Sequence, residues 1–110
     1  MDITEDKSGD IVILGPVGRL DSAGAPAFEK AMMGVIERGE TKIVVDFSKL
    51  DYISSAGLRV LLMGAKKTQA GGGKVTLCAL KPNIREVFEV SGFLTIFTVH
   101  DTREAAVAAG

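Results

Sequence analysis

The run Lys42-Ile43-Val44-Val45-Asp46-Phe47 constrains this chain most. Its centre is apolar on consecutive residues. Side chains alternate between the faces of a strand, so both faces must be covered. That pattern suits a strand inside an α/β sheet better than one on a half-solvated antiparallel sheet. The residues downstream agree. Leu58, Leu61, Leu62 and Ala65 recur at helical spacing and predict a helix from about Ser55 to Gln69. Ser54-Ser55-Ala56-Gly57 therefore sits between a buried strand and a helix. A serine there lies beside unpaired backbone N–H groups and the positive end of a helix dipole. That placement suits a nucleophile, an anion site or a phosphorylation site.

The remaining elements follow from punctuation and period. Ile3 to Asp6 reads as a short edge strand, Lys7-Ser8-Gly9-Asp10 as a turn, and Ile11-Val12-Ile13-Leu14 as a second strand ended by Pro16 and Gly18. A helix follows, with Asp21 or Ser22 as cap and Pro26 in its first turns. Phe28, Ala31, Met32, Val35 and Ile36 form its buried stripe, and Gly39 stops it. Gly71-Gly72-Gly73 reads as a flexible turn before a strand over Lys74–Leu80. Pro82 opens a third helix with Ile84, Val87 and Phe88 on one face and Gly92 at its end. Leu94–Val99 reads as a last strand. Asp101-Thr102-Arg103-Glu104 resembles a capping box, with Asp101 as cap, for a short C-terminal helix. Strands alternating with helices predict an α/β domain whose parallel strands are joined by right-handed crossovers. The N-terminal hairpin makes the sheet mixed.

At 110 residues the chain fits one domain, 1–110, around one core. Thirteen basic residues nearly balance fourteen acidic ones, and no basic patch stands out, which argues against nucleic acid as a partner. Aromatics are few and Trp is absent, so base stacking is not expected either. The single Cys78 can form neither an internal disulfide nor a zinc cluster, and reads as a buried thiol in a reducing cytosol. The acidic N-terminus does not resemble a secretory signal. Arg59, Lys66 and Lys67 interrupt the best apolar stretch, so no membrane segment and a cytoplasmic location are expected.

Several chemistries compete for the conspicuous residues. Ser55-Ala56-Gly57 matches half of a G-x-S-x-G nucleophile elbow, but Ile53 stands where the first glycine belongs. A Ser-His hydrolase would need His100, the only histidine, as its base. Gly71-Gly72-Gly73-Lys74 superficially suggests a phosphate cradle, yet it precedes a strand and lacks P-loop spacing. Asp2, Glu5, Asp6 and Asp10 follow no calcium-loop pattern and read as a solvated edge. The methionines read as core filler rather than a cofactor box. For Ser54 and Ser55 the plain alternative is helix capping, worth ~1 kcal/mol. Capping and function are compatible if one serine caps while its neighbour faces solvent.

Asp46-Phe47-Ser48-Lys49-Leu50-Asp51-Tyr52-Ile53-Ser54-Ser55-Ala56-Gly57-Leu58-Arg59-Val60-Leu61 resembles the signature of STAS domains, specifically of bacterial anti-sigma factor antagonists. Gly18-Arg19-Leu20-Asp21 resembles the G-x-L-D element of that family. Gly72-Gly73-Lys74-Val75 and Pro82–Phe93 resemble later segments in the same order. The resemblance implies a single STAS-like α/β domain, with a mixed four- to five-stranded sheet and about four helices packed mainly on one side. It implies a regulator rather than an enzyme, with no cofactor or metal. Unphosphorylated, such a protein binds an anti-sigma factor, usually a serine kinase, and so frees the sigma factor. The kinase inactivates it by phosphorylating one serine, and a phosphatase restores it. That serine matches Ser55, with Ser54 as second choice, and Asp21 is implied to lie close by. The partner-binding set implied is Asp21, Ser54, Ser55, Ala56, Gly57, Leu58 and Arg59. Ser54 departs from the family's frequent Asp, and Ala56 from its frequent Ser or Thr. The alternative within the family is an accessory or scaffold subunit that phosphorylation does not regulate.

Overall fold

The computed structural model describes residues 1–110. Strands β1 (Asp2–Ser8) and β2 (Ile11–Leu20) form an antiparallel hairpin. Parallel strands β3 (Lys42–Asp46), β5 (Lys74–Cys78) and β6 (Val99–His100) extend it in the order β1-β2-β3-β5-β6. A further strand, β4 (Leu50–Ile53), pairs in parallel with the far end of β2. The sheet is therefore mixed, with six strands. Two of them are very short: β4 has four residues and β6 two.

The covering of β3 on both faces is realised. Ile43 and Val45 join Val12, Leu14, Val75 and Leu77 in the main core, while Val44 joins Ile11, Ile13 and Cys78 in a smaller cluster on the opposite face. Helices α1 (Ala25–Glu37), α2 (Ser55–Ala70) and α3 (Pro82–Ser91) cover the main face with Phe28, Met32, Val35, Leu58, Leu61, Ile84 and Phe88. The second face is covered by α4 (Arg103–Ala109) through Ala106. Helices thus pack mainly on one side, three against one.

Several local expectations are corrected. β2 does not stop at Pro16 and Gly18. It pairs with β3 only as far as Leu14 and with β4 only from Gly18. Pro16 falls between the two partners, where a missing N–H breaks no bond on that side. Gly18, at φ 90°, sits at a shift in register rather than at a strand end. The Gly71-Gly72-Gly73 turn has a defined hydrogen-bonded geometry. Gly72 takes φ 84°, and the Gly72 and Gly73 N–H groups donate to the Gln69 and Thr68 carbonyls, both at 2.9 Å. A Cβ on Gly73 would collide with the Thr41 backbone. The strand expected to Leu80 ends at Cys78, because Ala79 turns to φ 58°. The strand expected over Leu94–Val99 shrinks to β6 and begins only at Val99: Phe93–Thr95 forms a 3-10 turn that brings Phe93 and Phe97 against Phe88, with ring centroids 6.1 and 6.4 Å away. The apolar residues ahead of Val99 serve an aromatic cluster instead of a ladder. The cap of α4 is Thr102, whose hydroxyl accepts the Ala105 N–H at 3.1 Å, one residue beyond the expected Asp101. Gly39 ends α1 as expected, at φ 86° with its N–H on the Ile36 carbonyl.

Candidate functional site

The short β2–β4 pair carries the loops at one end of the sheet. Leu20 and Ile53 are opposite each other, and the Ser54 N–H donates to the Leu20 carbonyl at 2.9 Å. Asp21 and Ser54 are the next residues on their respective strands, so the β2–α1 turn and the start of α2 emerge side by side. A parallel sheet collects its functional loops at this carboxyl end.

The two serines have separate positions. Ser54 is the N-cap of α2: its backbone is extended and its hydroxyl accepts the Gly57 N–H at 3.5 Å, a long bond. Ser55 is the first helical residue, is exposed, and makes no hydrogen bond within the protein through its hydroxyl. The Ser55 and Ala56 N–H groups have no carbonyl a turn earlier to receive them. The first turn of α2 carries no acidic side chain, and Arg59 lies exposed one turn beyond Ser55. The dipole and the side-chain charge both favour an anion at Ser55.

Gly57 explains why α2 starts so close to the sheet. A Cβ there would lie 2.7 Å from Leu20 Cγ and 3.0 Å from Ile53 Cγ1. Gly57 and Leu58 are buried, so of the seven residues expected to face a partner these two face the core instead. Asp21, Ser54 and Ala56 are half-buried, whereas Ser55 and Arg59 are exposed. Asp21 is not the cap of α1, which is Gly24. It closes the preceding turn: its Oδ1 accepts the Ala23 and Gly24 N–H groups at 3.1 and 3.0 Å.

Two features beside these residues are not legible in the sequence. Arg19 and Tyr52 are cross-strand neighbours, with the Arg19 guanidinium 4.3 Å from the Tyr52 ring centroid and its Nε 3.8 Å from Asp21 Oδ2. Such a stack contributes ~0.5–1 kcal/mol at an exposed position. The second is a shallow groove of about 290 Å³ between α1 and α2, reaching from Ser22 and Glu29 across to Ala56, Arg59 and Met63. The missing signal was β4 itself, since neither its four residues nor its pairing with β2 stands out from the sequence.

Other candidate chemistries are not assembled. His100 lies on β6, level with Cys78 of β5, two strands beyond β3. Sideways separation alone puts it ~10 Å from the line of β3 and β4, outside the reach a general base needs. The Gly72 and Gly73 N–H groups are spent on helix carbonyls and cannot cradle a phosphate. The acidic residues near the N-terminus diverge: Glu5 pairs with Arg38, Asp6 with Arg103 and Asp10 with Lys42, at 2.7, 3.1 and 3.2 Å. Cys78 is buried as expected. No helix is long and apolar enough to cross a membrane.

The chain is similar to several known proteins. BtrV of Bordetella bronchiseptica, provisionally named an anti-sigma factor antagonist, is 48% identical over 109 residues, covering 99% of this chain and 94% of BtrV. The crystal structure of a Thermotoga maritima protein given the same provisional description superposes with a TM-score of 0.92 at 24% identity, over 97% of this chain and 92% of that one. The Bacillus cell-fate determinant SpoIIAA, solved in its phosphorylated form, gives 0.78 at 24% identity, over 98% of both chains. At that identity the two structures speak for the fold alone. The sequence profile of the STAS domain matches residues 2–106. With the profile spanning nearly the whole chain and the sheet, helices and loop ends arranged as described, this protein belongs to the STAS domain family.

Proposed function

We propose that this protein is an anti-sigma factor antagonist whose binding surface is switched by phosphorylation of Ser55. The observation that carries the reading is the division of labour between adjacent serines. Ser54 spends its hydroxyl as the cap of α2, while Ser55 is exposed, unbonded and set at the positive end of the helix. The relation to BtrV supports the partner class. The partner is an anti-sigma factor that is also a serine kinase, and a phosphoserine phosphatase resets the switch.

In the kinase, the Ser55 hydroxyl oxygen attacks the γ-phosphorus of ATP, ADP leaves, and the hydroxyl proton passes to a base of the kinase. The antagonist supplies no catalytic group. The product carries about −1.5 to −2 charges near neutral pH. Free N–H groups, the dipole and Arg59 all tolerate that charge in the free protein, so the fold survives. In a complex the same charge must leave water. Desolvating an unpaired charge costs several kcal/mol, and each ~1.4 kcal/mol is tenfold in affinity. Phosphorylation therefore lowers affinity by orders of magnitude. Asp21, beside this loop, adds to the repulsion and shapes the docking surface.

The test is to incubate the protein with its cognate kinase and ATP, map the modified residue, and measure binding of both forms to the anti-sigma factor. Modification at Ser55 with loss of binding is expected. Ser55→Ala should bind and resist modification. Modification confined to Ser54 would move the acceptor, and binding with no modification at either serine would make the chain an accessory STAS subunit.

A further inference from the structure

The second face of the sheet is covered by very little. Helix α4 has seven residues, and Ala106 is its one fully buried side chain. A helix this short is unstable by itself and persists through tertiary contacts. Beneath it lie Ile11, Ile13, Val44 and Cys78, a small cluster separate from the main core that holds α1, α2 and α3. Displacing α4 therefore breaks none of the contacts that build the main core.

Beyond the packing of Ala106 and Val107 on that cluster, a single side chain ties α4 down by hydrogen bonds. Arg103, the first residue of α4, donates from Nε to Asp46 Oδ2 at 2.8 Å and from Nη1 to Asp6 Oδ2 at 3.1 Å. One guanidinium thus ties the helix to the end of β3 and to the edge strand β1. Asp46 is 5% exposed, so its charge depends on that pairing and on the Ser48 N–H, which its Oδ1 accepts at 2.9 Å. The chain enters α4 through Asp101, which is fully exposed and attached only by a 4.0 Å approach to Arg85.

We infer that α4 is a latch: it opens as a unit about Asp101 and Thr102 while the sheet and the other three helices stay folded, and Arg103 sets how often it opens. Opening uncovers the apolar face formed by Ile11, Ile13 and Val44. The latch is independent of the Ser55 switch and stands or falls without it.

Cys78 is a built-in reporter. It is the only cysteine and is fully buried in the cluster under α4. Burial, and next the neighbouring Asp46 charge, push its thiol up to about 12, so the closed form is inert to thiol reagents. Opening returns it toward the ordinary range and lets it react. The experiment follows the reaction of the full chain with Ellman's reagent at increasing urea, beside a global unfolding curve. In the wild type, labelling at low urea should proceed with a much shallower urea dependence than global unfolding, because a small segment exposes little surface. Arg103→Ala should accelerate labelling tenfold or more without abolishing the cooperative global transition, with Arg103→Lys in between. Labelling whose urea slope equals that of global unfolding in the wild type would overturn the latch, even if Arg103→Ala failed to fold. So would an Arg103→Ala protein that folds and labels at the wild-type rate.

Discussion

Gly57→Ala tests the claim that close approach of α2 to the sheet sets the position of Ser55. In an exposed helix the exchange of glycine for alanine stabilises by ~1 kcal/mol, because alanine loses less backbone entropy. Here the new Cβ would lie 2.7 Å from Leu20 Cγ and 3.0 Å from both Leu20 Cδ2 and Ile53 Cγ1. Carbon atoms prefer ~3.5–4.0 Å. Leu20 is fully buried and Ile53 is 3% exposed, so neither side chain has open space to retreat into. Overpacking of this kind costs ~1–3 kcal/mol. Offset by the helix preference, a net loss of about 0–2 kcal/mol is expected. Gly34→Ala is the matched control: Gly34 lies in the interior of α1, and a Cβ there meets nothing within 4 Å. It should gain ~0.5–1 kcal/mol. Urea unfolding of the three proteins, with equal slopes, gives both values. The same Gly57 variant should be phosphorylated more slowly, because relief of the clash lifts the first turn of α2 and Ser55 with it. If Gly57→Ala proves as stable as Gly34→Ala, the close approach is not the reason for glycine at this position.

Ser55→Asp should change stability by about 1 kcal/mol or less and still weaken anti-sigma binding strongly; equal binding of variant and parent, measured by titration calorimetry, would refute charge exclusion. Ser54→Ala removes the cap of α2, and since the bond to Gly57 is 3.5 Å long, the loss should fall at or below the usual ~1 kcal/mol; a thermal melt measures it, and unchanged phosphorylation at Ser55 is expected alongside. Asp21→Ala should loosen the turn before α1 by ~1 kcal/mol and weaken partner binding or phosphorylation; a lower melting point with both unchanged would leave Asp21 a turn residue only. Burial pushes the Asp46 carboxyl up, but the Ser48 N–H and the Arg103 guanidinium outweigh it and hold the carboxyl below its ordinary 3.8. With the folded value depressed, the stabilisation is complete above the unfolded value and is lost as pH falls through the folded one. Asp46→Asn should therefore flatten that part of the acid limb in urea midpoints measured from pH 5 down to 2, and an unchanged limb would count against the pair.

The sequence exposed what long-range packing demands and hid what depends on pairing. Consecutive apolar residues in β3 announced a strand buried twice, and Gly39 and Gly92 announced helix ends through their left-handed backbone. β4 was invisible because Leu50-Asp51-Tyr52-Ile53 buries only its two ends, and its partner is a continuation of β2 beyond Pro16. Proline stops a strand where its missing N–H would face a hydrogen-bonding neighbour, and does not where that side opens on the gap between two partners. Leu94–Val99 shows the converse: apolar composition reports burial, and an aromatic cluster around Phe88 buries Phe97 ahead of the short ladder that begins at Val99. At the site, both serines, Asp21 and Arg59 could be named from spacing and resemblance. Leu58 already belongs to the apolar stripe of α2, but the burial of Gly57 could not be read, since it follows from the register of β2 against β4.

That register also explains how a modification at Ser55 can be separated from folding. The contacts that fix the start of α2 belong to its neighbours: Gly57 against Leu20 and Ile53, Ser54 as cap, and the Ser54 N–H on the Leu20 carbonyl. Ser55 is surrounded by all of them and contributes to none through its hydroxyl. A phosphate there adds charge where the helix already favours an anion and removes no contact that the core relies on. Were Ser54 the acceptor instead, modification would convert the cap itself and perturb the first turn. Hydrogen exchange at the Gly57 and Leu58 amides distinguishes the two: phosphorylation at Ser55 leaves their protection in place, whereas loss of the Ser54 cap shortens it at Gly57 first.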